Sequence, residues 1–357
     1  MMSTAIRNYW TNLVKLLRRE RLLHPLAVTY HVTTRCNLNC TYCEDFGARR
    51  NAQAETPLPL ADALRALRLV RERTDSLILS GGKPLLYPHI VALATRARRE
   101  LRFRRIALLT NGLLLPQHED ILPALDRLVI SLDATDPELW GRIINAPPAT
   151  AQAIIDTVLT YARRQRQEGY QLIVNCVLTP ETLPGAPGIL DFCIQHDLLV
   201  SFSPQAVNNW PRYELLVSDA YKAFLARLLD LKHRGAPILG SAAYLRVLHD
   251  MVPYTCYPTL MPHIMPNGDL VYPCRPIEKE KGSHGGRPCN LLHAASWEQA
   301  IEKAADVYGP PPRICTSCFQ QCYAEPSLMQ TRPLSLLREL ARHAPSRHGA
   351  VWLHAPG

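Results

Sequence analysis

The stretch TTRCNLNCTYC, residues 33–43, carries three cysteines, Cys36, Cys40 and Cys43, within eight residues. It directly follows an apolar segment, 27–33, that we predict to be the first strand of the fold. Three thiolates at this spacing can bind three irons of a four-iron cube and leave the remaining iron open to a ligand. A zinc knuckle and a group of buried free thiols are the alternatives, but structural zinc needs four ligands and no fourth lies nearby in sequence.

Downstream of this stretch, short apolar segments alternate with helical ones. We predict strands at 27–33, 76–80, 106–110, 128–132, 172–178 and 199–203. We predict helices at about 58–73, 88–100, 118–125, 149–168, 187–196 and 216–233. This alternation implies a parallel sheet with right-handed crossovers, and six strands are too few to close an eight-stranded barrel. The predicted class is α/β: a partial (β/α)6 TIM-like barrel with its chemistry at the carboxyl ends of the strands, followed by a small C-terminal iron–sulfur module.

The Cys-x3-Cys-x2-Cys pattern after the first strand resembles the signature of the radical S-adenosylmethionine (SAM) superfamily, whose fold is likewise a partial (β/α)6 barrel. The resemblance covers about residues 25–205. It implies that Cys36, Cys40 and Cys43 are the catalytic ligands of a 4Fe–4S cluster whose open iron chelates SAM. It also implies that reductive cleavage of SAM gives a 5′-deoxyadenosyl radical, which abstracts a hydrogen from a substrate.

Other positions at predicted strand ends match the same family, although each taken singly is explained equally well as a turn or capping residue. Residues 80–84, SGGKP, stand where the family has Gly-Gly-Glu-Pro. Lys83 therefore replaces a glutamate that helps to hold the SAM amino group, and a lysine would repel that ammonium but can pair with the carboxylate. The resemblance implies that Tyr42 lies against the adenine. The cofactor-binding residues that it implies are Tyr42, Gly81, Gly82, Lys83, Pro84, Asn111, Ser131, Asp133 and Asn175.

Six further cysteines lie between residues 256 and 322. Two of them bracket PNGD, residues 266–269, which is a hairpin turn signal. Two single cysteines and a Cys-x2-Cys pair can close a four-thiolate site, for zinc or for an iron–sulfur cluster. The order resembles the SPASM/twitch extensions of radical SAM enzymes, which implies an auxiliary 4Fe–4S cluster. The implied ligands are Cys256, Cys274, Cys315 and Cys318, with Cys322 in reserve and a second cluster involving Cys289 left open.

The N-terminal segment is predicted to be a basic amphipathic helix over residues 5–24. Ile6, Trp10, Leu13, Val14 and Leu17 recur at helical spacing, and arginines and lysines supply a positive face. Such a helix can lie on an anionic membrane surface or pack across one end of the barrel. The predicted organisation is this helix at 1–24, the barrel at 25–235, the auxiliary module at 250–330 and a tail at 331–357.

Composition limits the possible partners and compartment. The chain has 357 residues and a formal net charge of +9, which favours anionic partners. Nucleic acid is not expected, because no basic run is interleaved with aromatic residues. The sequence shows no signal-peptide pattern and no run of about 18 apolar residues. We therefore expect a cytoplasmic protein with reduced or metal-bound cysteines, and the N-terminal helix leaves peripheral contact at the inner membrane face open.

The predicted function is that of a radical SAM enzyme acting on a small-molecule or lipid substrate. The auxiliary cluster would transfer electrons or bind the substrate, and a flavodoxin- or ferredoxin-type protein would supply low-potential electrons. One alternative is a ribosomal peptide maturase of the SPASM type. A non-catalytic iron–sulfur protein is the other, and the Lys83 substitution is its support.

Overall fold

Six parallel strands form the centre of the computed structural model, which describes residues 3–207, 210–280, 289–311 and 318–333. All six begin and end within one residue of their predicted bounds. They are β1 (Val28–Thr33), β2 (Ser76–Gly81), β3 (Arg105–Thr110), β4 (Arg127–Ser131), β5 (Gln171–Leu178) and β6 (Leu199–Pro204). Neighbours in sequence are neighbours in the sheet, and every pair is parallel.

A hairpin from the C-terminal part of the chain extends this sheet. A minor two-stranded hairpin, β7 (Ala206–Val207) with β8 (Trp210–Pro211), precedes it in sequence. In the extending hairpin, β9 (His263–Ile264) pairs antiparallel with β10 (Leu270–Val271) around the predicted turn. Strand β9 also pairs parallel with β1, so that the described sheet runs β10-β9-β1-β2-β3-β4-β5-β6. The sheet remains open between β6 and β10, which confirms the partial barrel, whereas the β9–β10 extension was not predicted.

The helices cover the outside of the sheet and fill the C-terminal part. They are α1 (Thr4–Leu17), α2 (Leu60–Arg73), α3 (Ile90–Arg99), α4 (Pro137–Ile144), α5 (Pro148–Glu168), α6 (Ala186–Gln195), α7 (Tyr213–Leu216), α8 (Asp219–His233), α9 (Ala242–Asp250), α10 (Arg275–Glu280), α11 (Trp297–Tyr308) and α12 (Gln321–Thr331). The predicted helix at 118–125 is a 3-10 helix, Glu119–Ala124, which contains Pro123. No helix in the described ranges has the length and apolar character needed to cross a membrane.

The N-terminal helix is shorter than predicted. It ends at Leu17, and Arg19 has a φ of 61°, so the chain leaves the helix in a left-handed turn. The following residues run into the barrel, where Leu23 and Leu26 are buried and the backbone N–H of Leu26 donates to Leu260 O. Burial of these leucines requires the chain to turn toward β1, which a helix continued to residue 24 would prevent.

Helix α12 spans the open side of the barrel. Its first residue, Gln321, accepts a 2.6 Å hydrogen bond from the Ser201 hydroxyl on β6. Two residues later, the Tyr323 ring stacks on the His263 ring of β9, with centroids 5.2 Å apart. One helix from the C-terminal region thus contacts both sides of the gap in the sheet.

A buried carboxylate fixes α12 to α9. Glu325 is 3% exposed and accepts hydrogen bonds from the backbone N–H of Ser241, at 2.8 Å, and from the Ser241 hydroxyl, at 3.1 Å. Ser241 is in turn the N-cap of α9, since its hydroxyl oxygen accepts from the Tyr244 N–H. The position of α12 therefore depends on a buried polar contact that needs both partners.

We expect Glu325→Ala to lower the free energy of unfolding by about 1–3 kcal/mol, because it leaves two buried donors of Ser241 unsatisfied. Thermal denaturation followed by circular dichroism measures the effect. Glu302→Ala on the exposed side of α11 is the matched control, with an expected change within about 0.5 kcal/mol. Equal stability of the two variants would show that the Glu325–Ser241 contact does not hold α12.

Candidate active site

The cysteine-bearing loop leaves the carboxyl end of β1 and is held by polar side chains that the sequence analysis did not single out. The Asn51 side chain accepts from the Cys36 N–H and donates to the Cys36 carbonyl, both at 2.9 Å. Arg49 donates to the Cys43 carbonyl at 2.8 Å. Asn37 accepts a 2.9 Å hydrogen bond from the predicted SAM contact Asn111, at the end of β3. The loop backbone is therefore fixed around the three thiols.

The three thiols lie together in a largely buried site. Burial raises the pKa of Cys40 to about 12, and the nearby thiols of Cys36 and Cys43 act in the same direction. Burial also raises the pKa of Cys43, while the Lys83 ammonium acts in the opposite direction on both thiols. Buried thiols of this kind lose their protons when a metal binds them.

Three thiols without a fourth ligand are a donor set compatible with an iron–sulfur cube. Across the described ranges, no three His, Cys, Asp or Glu side chains are placed to hold one metal ion. A cube has a different requirement, because each thiolate binds its own iron. Three clustered thiols on a pinned loop meet that requirement, and the fourth iron of a cube would have no cysteine ligand from this loop.

Two glycines let β2 approach the start of the cysteine loop. A Cβ on Gly81 would lie 2.2 Å from the Thr33 carbonyl oxygen, and one on Gly82 would lie 2.1 Å from the Arg35 carbonyl oxygen. The resemblance implied that both glycines bind the cofactor. In the structure the backbone that they approach is that of residues 33–35, and the N–H groups of Gly82 and Lys83 donate to it at 2.8 Å. The SGGKP segment thereby sets the position of the loop.

Asp133 connects the cysteine loop to the end of β4. Its carboxylate accepts from the Tyr42 hydroxyl and from the Val177 N–H, each at 2.7 Å. Burial raises the pKa of Asp133 to about 7, although the Tyr42 hydrogen bond acts to lower it. The neighbouring predicted contacts Ser131 and Asn175 are half-buried and lie opposite each other in the β4–β5 register. Tyr42, Asp133, Ser131 and Asn175 are thus grouped at one end of the sheet.

Three of the predicted auxiliary ligands lie buried around α12. Cys256, Cys274 and Cys318 are all less than 6% exposed. Ser327 Oγ lies 3.9 Å from Cys256 Sγ, and the Cys274 and Cys318 thiols both act electrostatically on Tyr323. Cys315 lies outside the described residues.

The other two C-terminal cysteines lie at different distances from this group. Cys322, the predicted reserve ligand, acts electrostatically on Tyr323 together with Cys274 and Cys318, and it also packs with Ile78, Ala107 and Leu109 against the inner face of the sheet. Cys289 is buried beside β10, and its charged neighbours are Lys303 and Asp269.

Two contacts join the first cysteine loop to the auxiliary region. Asp45, two residues after Cys43, lies 3.7 Å from the guanidinium of Arg275, which follows Cys274 directly. On β1 and β9, His31 Nε2 and His263 Nδ1 are 2.9 Å apart. Burial lowers the pKa of His263 well below its usual range, so this ring is neutral. The two cysteine groups therefore belong to one connected structure.

A comparison with protein-family models matches residues 30–208, half of the chain, to the Radical SAM superfamily. The chain belongs to this superfamily. The radical SAM match begins within β1 and ends after β6, so it covers the cysteine loop and almost all of the six consecutive parallel strands. The protein is accordingly an enzyme whose cofactors are SAM and a 4Fe–4S cluster.

Among curated proteins, this radical SAM chain is similar to enzymes named GTP 3′,8-cyclase. The one from Rhodococcus opacus is 25% identical over 227 residues, which are 61% of this chain and 62% of that protein. One from Mycobacterium sp. strain KMS is 30% identical over 221 residues, 57% of this chain and 61% of that protein. The chain thus spans about three fifths of the length of these relatives.

Among solved structures, the radical SAM chain is similar to SuiB of Streptococcus suis. The SAM-bound form has a TM-score of 0.62 and 19% identity, covering 83% of this chain and 71% of SuiB. The form bound to the precursor peptide SuiA has a TM-score of 0.63 and 17% identity, covering 92% of this chain and 76% of SuiB. At this level of identity the similarity concerns the fold.

The residues that the sequence analysis missed are those that hold the radical SAM loop and connect it to the auxiliary region. Asn51, Asp45 and Arg275 are ordinary polar residues in loops or at a helix start, and no motif distinguishes them. His31 offered a weak signal, because it is an ionisable residue inside an otherwise apolar and hydroxyl-bearing strand. Its partner His263 lies 232 residues away, so spacing could not reveal the pair.

We predict that Gly82→Ala displaces the radical SAM loop, because the new Cβ would overlap the backbone oxygen of Arg35. If the auxiliary cluster is retained, iron counting should show the loss of about half of the bound iron. Circular dichroism should show that the variant is still folded. Gly188→Ala in α6 is the matched control, since its Cβ would meet no atom closer than 3.9 Å. Equal iron content in the two variants would contradict a role for Gly82 in placing the loop.

Proposed function

We propose that Cys36, Cys40 and Cys43 bind the SAM-cleaving 4Fe–4S cluster and that the chain uses it for hydrogen abstraction from a small-molecule substrate. The observation that carries this proposal is the group of three thiols at the carboxyl end of β1, one buried and two half-buried, close to Lys83 and Asp133. When bound and reduced, the cluster and SAM supply a 5′-deoxyadenosyl radical. The chain's own residues have to position SAM, exclude water and present the substrate.

Each of the grouped residues has a role that follows from its contacts. Asn51 and Asn111 keep the loop backbone in place, directly and through Asn37 respectively. Tyr42, with its hydroxyl held by Asp133, offers the ring expected beside the adenine. Gly81, Gly82 and Pro84 set the backbone beneath the loop, while Ser131 and Asn175 offer polar side chains at the same sheet end. Lys83 offers a positive charge for the SAM carboxylate.

The structure favours substrate entry from the carboxyl ends of the strands. Helix α12 spans the open side of the barrel through Gln321 and Tyr323, so a side entrance would require this helix to move. The relatives named GTP 3′,8-cyclase, and the net charge of +9, make anionic nucleotides the first compounds to test.

A ribosomal peptide maturase is the second candidate. It is favoured by the fold similarity to SuiB, because the SuiB form that aligns with 92% of this chain is bound to a precursor peptide. The lipid hypothesis loses its original support, since α1 contacts the amino ends of the strands. There Asn8 donates to the carbonyls of Pro25 and Arg73, which precede β1 and β2. A lipid bound by α1 would lie at the opposite end from the thiols.

For the second cysteine group we propose an auxiliary 4Fe–4S cluster with Cys256, Cys274, Cys315 and Cys318 as ligands and Cys322 in reserve. The burial of Cys256, Cys274 and Cys318 around one helix supports this assignment. Its proposed role is electron transfer or substrate binding. A flavodoxin- or ferredoxin-type protein would deliver the reducing electron.

Replacing Cys36, Cys40 and Cys43 together by alanine should abolish 5′-deoxyadenosine formation by the reconstituted, dithionite-reduced protein. Iron should fall from about eight to about four per chain, because the second cluster keeps its ligands. Iron and sulfide counting, EPR and chromatography of the reaction products measure these quantities. Cys193→Ala, which alters a buried core thiol on α6, should retain both the iron and the product.

Continued SAM cleavage by the triple variant would refute the cluster assignment. A wild-type protein that binds about eight irons but forms no 5′-deoxyadenosine with any substrate would contradict the proposed hydrogen abstraction.

We also expect Lys83→Gln to weaken SAM binding by roughly fivefold, since it removes one half-buried charge that can pair with the SAM carboxylate. Equilibrium dialysis with the reconstituted protein measures this affinity directly. Lys303→Gln on α11 removes the same charge away from the loop and should bind SAM like the wild type. Tighter binding by Lys83→Gln would show that the lysine opposes the SAM ammonium instead.

Substrate class can be decided by which addition stimulates 5′-deoxyadenosine formation. A panel of nucleoside triphosphates should stimulate it if the substrate is a small anion. A peptide encoded by a neighbouring short open reading frame should stimulate it if the protein is a maturase. Stimulation by the peptide alone would reject the small-molecule proposal.

A further inference from the structure

The outward side of α1 carries an apolar ridge that the rest of the described chain leaves uncovered. Trp10 is 58% exposed, Val14 48% and Leu17 86%. At 100° per residue these three side chains lie within about 60° of one another around the helix axis. All three are among the large apolar side chains that are exposed in the described residues, and they lie along one strip of the helix surface.

The opposite side of α1 is fixed to the barrel, so the ridge cannot turn inward. Asn8 donates to two backbone carbonyls, and Asn12 exchanges two hydrogen bonds with the backbone of His24, at 2.8 and 2.9 Å. The Tyr9 hydroxyl donates to Met329 O on α12, and Thr4 N–H donates to Asp75. The helix therefore buries its asparagine face and keeps Trp10, Val14 and Leu17 outside.

Positive charge borders the ridge. Residues 1–24 contain five arginines and lysines and one acidic residue, Glu20, which is paired with Lys15. Arg7 and Arg18 are exposed within about 40° of Val14 around the axis, and Arg19 is exposed just beyond the helix end. An apolar strip with Trp and flanking arginines matches the acyl–headgroup boundary of an anionic bilayer.

We propose that α1 docks this ridge onto an anionic lipid surface, inserting Trp10, Val14 and Leu17 while Arg7, Arg18 and Arg19 contact lipid phosphates. The ridge is too small for the roughly 800 Å² per partner that a stable protein interface buries. Because α1 lies at the amino ends of the strands, the docked protein keeps the thiol-bearing end away from the lipid. The helix is thus an anchor, separate from substrate delivery, and the proposal does not depend on the proposed reaction.

Tryptophan fluorescence with brominated lipids tests which end of the barrel meets the membrane. The protein is mixed with phosphatidylglycerol vesicles that carry brominated acyl chains, which quench an inserted indole. Trp10→Phe should lose most of the quenching. Trp210→Phe is the matched control, since Trp210 is 46% exposed on β8, beyond the carboxyl end of β6, and should keep it. Loss of quenching in Trp210→Phe instead, or no quenching of the wild type, would overturn the proposal.

Vesicle co-sedimentation tests the two parts of the surface separately. Combined Trp10→Ser, Val14→Ser and Leu17→Ser changes should weaken binding by about tenfold or more, with unchanged thermal stability because these side chains are exposed. The double change Arg7→Gln and Arg18→Gln should weaken vesicle binding. The control, Arg163→Gln with Arg246→Gln, removes the same charge from α5 and α9 and should weaken vesicle binding less. Equal binding to phosphatidylcholine vesicles would overturn the electrostatic part. A concentration-dependent dimer lost on the triple serine change would assign the ridge to a second copy of the chain instead.

Discussion

Strand β1 is hydrogen-bonded on both sides, and both cysteine groups are positioned through this strand. On one side β2 ends in Gly81 and Gly82, whose backbone closes against residues 33–35 at the start of the radical SAM loop. On the other side β9 begins the hairpin that leads to Cys274. The six-stranded parallel sheet alone would place the first thiols, but pairing of β9 with β1 brings the auxiliary region to the same strand.

The contacts between these two regions are polar and buried or half-buried, which makes them specific in geometry. The His31–His263 pair and the Asp45–Arg275 pair both cross from the radical SAM loop side to the auxiliary side. Separation of the two regions would expose or unpair these groups, which is costly in a largely apolar interior. Any electron path or shared substrate site between the cysteine groups would run through this part of the molecule.

The sequence was sufficient for the parallel strands because each is a short apolar run bounded by turn residues, and buried parallel strands have that pattern. It was also sufficient to find the cysteine loop and the polar positions at strand ends, because parallel strands bring their carboxyl ends together. It predicted the hairpin turn between β9 and β10 but not the pairing of this hairpin with β1, since two-residue strands have no periodicity. Helix α12 was also missed, because its buried face has no apolar pattern. That face includes the polar residues Glu325, Ser327 and Gln330, which form hydrogen bonds with residues distant in sequence.

The contact between Ser201 and Gln321 joins residues 120 positions apart, so it cannot form until long after β6 has been translated. When β6 leaves the ribosome, its outer edge is unpaired, and the bridge that forms later between Val200 and Ile238 covers a single residue. Translation at about 5–20 residues per second delays α12 by on the order of ten seconds. During that interval the nascent barrel exposes an edge strand and apolar inner surface, and it is then most prone to aggregate or to recruit chaperones.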